Sequence, residues 1–507
     1  MQLTPVRRAT LANLTGQAWA LLLSLAMIPV YVRWLGVESY GLLGFHVTLL
    51  AASTVLDIGM SGTVNRELAR ASVTDQGAAD DLPRRVVRTL EWLVWPLSAL
   101  LAVAAVAGSW WLAAYWLKPV ALTVEQTQTA LVLMGLAVAA QWPAGFYGGA
   151  LAGLQRQVLL NAVNMAFAAL RAVGVLAPLA WWRADVSVYF AWQVMVGLLH
   201  SLALAAIVWR SLPATSAPAG FDARLLARLK GFTGGVAAVG VTAFVLMHID
   251  RMVLSAVQSL EAFGHYALAV AIATVVHRFV SPVQAAVYPR FSQLVAAGDT
   301  RQLIRLHHNT SQIIAAVLVP LVLLMVLFAQ DLISLWTGNA ALGAAAGPPL
   351  AVLALGYGLN GLMAVPYALQ LAYGSTRLVL WQTVIGVAIA VPATWYFAHR
   401  FGGIGAAGVW LALNVLYLLV GMPLMHRRFL QGELWPWVRT DLLPVVAVSC
   451  VVIGAARWWL TALPGGLAGA AVLGGLAGLA VVLAALAVPY PRNLLVEGLR
   501  KMRHRAL

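Results

Sequence analysis

Two arginines, Arg171 and Arg278, stand deep inside long apolar segments of the chain. They lie about 13 and 15 residues from the starts of those segments, or roughly 20 and 22 Å at the helical rise of 1.5 Å per residue. A charge at such depth in a bilayer costs at least about 2.5 to 3.5 kcal/mol, so it needs a hydrated cavity or a partner. Polar company follows at helical spacing. Asn161 and Asn164 share a stripe with Arg171, while Thr274, Ser281, Gln284 and Tyr288 share one with Arg278. Three further segments carry one polar face each: Asn13, Gln17, Ser24 and Tyr31; His46, Ser53, Asp57, Ser61 and Asn65; Tyr357, Asn360 and Tyr367. Five wet faces imply a water-filled interior, because such stripes are costly against lipid. The chemistry on offer is binding. No phosphate-cradling Gly-x-x-x-x-Gly-Lys loop, His-Glu-x-x-His pair or nucleophile elbow occurs, and Cys450 is the single cysteine. Neither catalysis nor a resident metal or cofactor is expected. His307-His308, the one adjacent histidine pair, reads as solvated loop surface.

The elements that must hold these residues are membrane helices. Of 507 residues, 62% are hydrophobic and 10% charged, against about 25% charged in soluble domains, and the mean hydropathy is +0.85. About fourteen apolar segments near 20 residues long can be marked. The net charge of +15 comes from Lys and Arg spread through short loops, which argues topology rather than nucleic acid. With a cytoplasmic N-terminus, about 24 of the 32 basic residues fall on the cytoplasmic side. Trp110-Trp111, Trp181-Trp182 and Trp458-Trp459 then fall at outer ends, where indoles sit at the headgroup level. Both termini are therefore expected in the cytoplasm. Arg66 falls at the cytoplasmic mouth, as an anchor or a capture site. Asp250 and Arg251 fall near an outer end, with a gating or structural role, and Asp57 is either a cation-coupling carboxylate or the partner of an arginine. For Arg171 and Arg278 the plain alternative to binding is a pairing that fastens a helix.

The chain also repeats. Val37-Glu38-Ser39-Tyr40-Gly41 is echoed 223 positions later by Leu260-Glu261-Ala262-Phe263-Gly264, and Gly153-Leu154-Gln155-Arg156 by Gly374-Ser375-Thr376-Arg377. Trp192 and Arg210 are matched by Trp410 and Arg428. Echoes in unchanged order point to a duplicated bundle. The expected architecture is an all-α polytopic protein: a lobe of six helices over 1–215, a pseudo-symmetric second over 216–430, then two helices and a basic tail over 431–507.

Pro29-Val30-Tyr31, Leu35-Gly36-x-Glu38-x-Tyr40-Gly41, Leu56-Asp57-x-Gly59 and Arg66 resemble the opening of bacterial polysaccharide-unit flippases of the Wzx type. Asp250-Arg251, Glu261-x-Phe263-Gly264-x-Tyr266-Ala267 and Tyr288-Pro289-x-Phe291-Ser292 are similar to the start of their second half. The motifs are short and shared across the wider multidrug, oligosaccharidyl-lipid and polysaccharide exporter superfamily. The resemblance implies a V-shaped, two-lobed fold in a bacterial inner membrane. It further implies alternating access that carries an undecaprenyl-pyrophosphate-linked oligosaccharide to the outer leaflet, coupled to membrane potential, H+ or Na+, with polysaccharide polymerase machinery as a partner. In that picture Arg171 and Arg278 hold the pyrophosphate through paired hydrogen bonds, and Asn161, Asn164, Gln17, Tyr31, Asn360 and Arg66 meet the rest of the substrate. A lipid II flippase shares the head group. A cation-coupled drug exporter of the same fold would need acidic and aromatic groups in its cavity, and a membrane glycosyltransferase or ligase a large outer loop.

Overall fold

The computed structural model describes residues 5–57, 59–71, 81–213, 220–460 and 463–506, with the side chains of 5–10, 227–240, 376–379 and 498–506 outside the description. The basic side chains of Arg7, Arg8, Arg228, Lys230, Arg377, Arg500, Lys501, Arg503 and Arg505 therefore lie outside it, as do parts of the two longest polar loops. Among the described residues there are helices and no strands. A chain this apolar must satisfy its backbone within each segment, and helices do so.

The chain forms two compact units, Met1–Gly264 and His265–Leu507. The first contains α1 (Pro5–Leu35), α2 (Val37–Val55), α3 (Met60–Ala71), α4 (Leu82–Trp111), α5 (Val124–Gln141), α6 (Pro143–Gly153), α7 (Gln157–Ala172), α8 (Leu176–Trp181), α9 (Val186–Ser211), α10 (Ala223–Val257) and the start of α11 (Leu260–Ala273). The second continues with α12 (Val275–Ala297), α13 (Thr300–Leu327), α14 (Ala329–Thr337), α15 (Ala340–Leu362), α16 (Ala364–Ala372), α17 (Thr376–Leu416), α18 (Met422–Phe429), α19 (Leu434–Pro436), α20 (Leu443–Trp459), α21 (Gly466–Ala487) and α22 (Pro489–Ala506).

Among the described residues eleven helical stretches are long and apolar enough to cross a membrane, or twelve if the bent pair α2–α3 is one span. One stretch, Leu380–Phe429, covers two of the segments marked in the sequence, divided where Gly402 takes φ 59°. The helix α10 covers another. All fourteen marked segments thus correspond to helix.

Several spans are broken in matching order in the two units. In the first, α2 gives way to α3 at a left-handed Gly59 (φ 74°), and α5 gives way to α6 at Trp142-Pro143. In the second, α11 gives way to α12 at Thr274 and α15 to α16 at Met363. Each of the later breaks is followed by a left-handed residue, Gln155 (φ 58°) before α7 and Gly374 (φ 68°) before α17. That pairing is spaced by 219 positions, so the sequence echo aligning Gly153 with Gly374 is out of register by two. The geometry selects Gln155, which adopts a conformation that glycine takes at less cost.

The other echo is realised as a contact inside the first unit. A Cβ on Gly41 would lie 2.5 Å from the carbonyl oxygen of Leu260, and one on Gly264 would meet the carbonyl oxygen of Val37 still more closely. These two approaches are reciprocal at the 223-residue offset, so the duplicated motifs cross at their own glycines. Glu38 secures the crossing from the side. Its buried carboxylate accepts the backbone N–H groups of Val120, Ala121 and Leu122 at 2.5, 2.7 and 3.3 Å. The same loop returns a bond from Leu260 N to Lys118 O at 2.9 Å, and Trp116 Nε1 donates to Ser255 Oγ at 3.0 Å. Close helix approach also joins α3 to α6, where a Cβ on Gly149 or Gly153 would run into the backbone of Ser61 or Asn65.

Candidate functional site

Arg171 sits in the last turn of α7, where the span breaks before α8. A helix ending inside an apolar bundle leaves carbonyls that need donors. Three side chains supply them in order: Trp192 Nε1 to Leu170 O at 3.0 Å, Gln193 Nε2 to Arg171 O at 3.4 Å and Tyr31 Oη to Ala172 O at 2.7 Å. The break is thus built into the fold by α1 and α9. It brings a guanidinium to a helix C-terminus, where a cation is favoured by the helix dipole.

The guanidinium Nη2 meets His200 Nδ1 at 3.1 Å, and His200 Nε2 meets Asn164 Oδ1 at 3.1 Å. Arginine only donates, so Nδ1 accepts and Nε2 carries the hydrogen that Asn164 receives. Phe167 stacks on the His200 ring at 4.6 Å. Beside this chain runs an aromatic file of Tyr31, Tyr189, Phe190 and His46, with ring centroids 5.2 to 5.3 Å apart. Among the described residues no carboxylate lies within ion-pair distance of Arg171, and its Nε is buried with no partner, as is Nδ1 of His46. The alternative of a helix-fastening carboxylate pair is therefore not what this arginine makes. The site holds a positive charge supported only by neutral groups, and an anion with planar oxygen edges would complement it.

Asn161 lies nearly three turns before Arg171 and ties α7 to α1 by donating to Asn13 Oδ1 at 2.6 Å, with Trp19 Nε1 adding a bond to Met165 O at 3.1 Å. Gln17 is exposed on α1 between them. Tyr31, Asn164 and Arg171 are thus brought together by α1, α7 and α9, whereas Asn161 joins α7 to α1 nearer the start of the helix. Asp57 sits at the α2–α3 break, where its carboxylate accepts the Ser61 N–H at 3.2 Å and the Ser61 hydroxyl at 2.9 Å. It acts as the cap of α3, and among the described residues it pairs with no arginine. Arg66 pairs with its neighbour Glu67 at 3.0 Å on the same helix. Asp250 and Arg251 are buried on α10, with Arg251 Nη1 3.1 Å from His248 Nδ1.

In the second unit, Arg278 is exposed on α12 and has no hydrogen bond or ion pair among the described residues. Asn360 donates to Asn414 Oδ1 at 2.9 Å, joining α15 to α17, and Asn414 donates in turn to Trp410 O at 2.8 Å. His307 and His308 depart from the sequence reading. Both lie on α13, His307 is wholly buried, and His308 faces two carboxylates. Sequence reasoning also missed Glu91. It is a buried carboxylate that accepts Tyr147 Oη at 2.8 Å, Trp209 Nε1 at 2.7 Å and Arg88 Nη1 at 3.1 Å, binding α4, α6 and α9. The signal available was a single Glu in an otherwise apolar segment. Among the described residues no group of three or more His, Cys, Asp or Glu has the geometry to hold a metal ion.

Comparison with known proteins bears on the family and the fold. Residues 6–295 match the family described as polysaccharide biosynthesis protein. A putative O-antigen transporter of Shigella flexneri is 20% identical over 412 residues, covering 80% of this chain and 94% of its own length. Among solved structures, a lipid II flippase, MurJ, in an inward closed conformation superposes with TM-score 0.68 at 10% identity, over 96% of this chain and 99% of that one. An inward-facing multidrug resistance transporter of the MATE family and MOP superfamily gives 0.62 at 14% identity, over 82% and 96%. The fold is the one these transporters share, and the named relatives are transporters and flippases rather than enzymes.

Proposed function

Because the chain belongs to the polysaccharide biosynthesis protein family, we propose that it is a flippase for undecaprenyl-pyrophosphate-linked oligosaccharide units in a bacterial inner membrane. It carries them from the cytoplasmic to the periplasmic leaflet by alternating access, with both termini cytoplasmic, and it supplies O-antigen, capsule or exopolysaccharide synthesis. The observation that carries this reading is Arg171, a cation deep in an apolar bundle whose hydrogen-bond partner is a neutral histidine and not a carboxylate. A pyrophosphate offers two or more negative charges and planar oxygen edges that a guanidinium can grip through paired bonds. Arg278, exposed and without a partner among the described residues, is the second contact that the head group meets during the cycle. The amide stripe of Asn161, Asn164 and Gln17, with Tyr31, suits the sugar. The family and the O-antigen transporter relative support a cargo of this class.

Lipid II is the second reading, favoured by the likeness to a lipid II flippase over nearly the whole chain. The two differ in the sugar and not in the charged head. Replacing Arg171 or Arg278 with Ala, at matched protein level, is expected to lower polymer export at least tenfold, with Arg171→Lys intermediate because a single ammonium cannot make the paired bonds. Full export in both Ala variants would overturn the assignment. Mass spectrometry of the lipid-linked intermediate that accumulates identifies the cargo. Dissipating the membrane potential, the H+ gradient and the Na+ gradient in turn identifies the coupling.

A further inference from the structure

A second charged cluster lies in the second unit and is made of residues other than those discussed for the substrate. His308, on α13, presents Nδ1 to Asp441 Oδ2 at 2.6 Å and Nε2 to Glu433 Oε2 at 3.0 Å. An ionised carboxylate only accepts hydrogen bonds, and a neutral imidazole has one N–H and one lone pair. Two short contacts of this kind therefore require one proton more than a neutral ring between two carboxylates would hold. Asp441 is fully buried, on the π-helical turn Trp437–Leu442 that precedes α20. Such turns in a helix are enriched at functional positions. Its other oxygen accepts Gln312 Nε2 at 2.9 Å, and Gln312 Oε1 accepts the backbone N–H of Tyr490, in the first turn of α22, at 2.9 Å.

One proton thus sits at the hub of a chain of bonds that links α13 to the segment before α20 and to α22. The remaining titratable groups around it are His307 and His426. The His307 ring lies 5.4 Å from that of His308 and 5.7 Å from that of His426. Both nitrogens of His307 and Nε2 of His426 are buried without a protein partner. His426 also lines a cleft of about 220 Å³ with Arg427 and Gln431.

We propose that His308, Asp441 and Glu433 form a proton-binding site, filled and emptied through the cleft beside His426, whose loaded state holds α20 and α22 against α13. When the proton leaves, a neutral His308 can donate to only one carboxylate and turns a lone pair toward the other. Two negative charges then remain at the cluster, with that of Asp441 fully buried. Docking of the last helices weakens as pH rises.

The test is hydrogen–deuterium exchange of the purified full chain, corrected for intrinsic rates, between about pH 6 and pH 9. Protection of residues 443–459 and 489–497 is expected to fall about tenfold across that range, because losing the proton removes one of the two bonds that the docked state makes to His308. Glu433→Gln offers an amide N–H to the ring, so a neutral His308 is satisfied on both sides, and this variant is expected to stay docked with a flat pH response. ¹⁵N spectra of histidine-labelled wild-type protein give a readout that needs no variant, with both ring nitrogens of His308 protonated at the acid end. A flat wild-type response, a Glu433→Gln variant with the wild-type pH dependence, or a His308 ring that never carries both protons would each overturn the proposal.

Discussion

Replacing Gly41 by Ala adds one methyl group where the duplicated motifs cross, and its effect can be worked from the distances. The new Cβ would lie 2.5 Å from Leu260 O, 3.1 Å from Leu260 Cδ1 and 3.3 Å from Gly264 N. An ordinary contact needs about 3.4 Å or more, so α2 and the start of α11 must part by about 1 Å, and the obstructing atom is backbone that cannot rotate away. Overpacking of this kind costs about 1 to 3 kcal/mol. Within a helix Ala is otherwise favoured over Gly by about 0.8 to 1 kcal/mol. Gly62, on α3, supplies the control, because nothing lies within 4 Å of a Cβ there. Gly62→Ala should therefore stabilise by up to about 1 kcal/mol and Gly41→Ala should destabilise by up to about 2 kcal/mol. Thermal unfolding of the detergent-purified protein orders the two variants, and Gly264→Ala should behave like Gly41→Ala because the contact is reciprocal. A Gly41→Ala protein as stable as Gly62→Ala would refute the claim that the motifs meet at these glycines.

Glu38→Gln keeps the side-chain volume but turns an amide N–H toward the donors of Val120, Ala121 and Leu122; a loss of about 2 to 3 kcal/mol is expected in the same unfolding assay. Glu91→Ala leaves Tyr147 Oη and Trp209 Nε1 without their acceptor and should cost about 3 to 5 kcal/mol, whereas Glu91→Gln retains an acceptor and should cost much less. A double-mutant cycle on Asn360 and Asn414 should return a coupling of about 0.6 to 1.7 kcal/mol, the range found between membrane helices. Asn164→Asp keeps the acceptor for His200 but places a carboxylate in the Arg171 site; export should fall at least tenfold while unfolding temperature holds or rises, and retained export would argue against an anionic cargo meeting Arg171.

The helices were legible because hydropathy over twenty residues is a sum, and sums tolerate local irregularity. The repeat was legible where it lies in glycines that must be small, as at Gly41 and Gly264. It was misread by two positions where the equivalent left-handed residue is Gln155 in one unit and Gly374 in the other, since residue identity conceals a shared conformation. The stripe of Asn161, Asn164 and Arg171 could be seen by periodicity, but His200 could not, because it arrives on α9 from a distant part of the chain. His307-His308 misled for a related reason. A polar pair near the end of an apolar segment looks solvated until the partners that bury it, Asp441 and Glu433, are brought in from more than a hundred residues away.

The described acidic groups and the arginine of the candidate site are used in opposite ways. Glu38 and Asp57 accept backbone N–H groups at a loop and a helix start, Glu91 accepts from Tyr147, Trp209 and Arg88, Asp331 pairs with Arg457, and Glu433 and Asp441 bracket His308. Each of these carboxylates accepts hydrogen bonds or pairs with a cation where it stands, and among the described residues none lies within ion-pair distance of Arg171. That cation is held instead by an imidazole and by the geometry of a broken helix whose carbonyls are capped by α1 and α9. Structural stability alone would be served as well by an apolar residue at such a position, since buried charges rarely repay their desolvation. A guanidinium kept there, with no described carboxylate within ion-pair distance, is what the proposed binding of an anionic head group would use. A cation exporter would need the reverse distribution, with carboxylates unengaged and arginines paired.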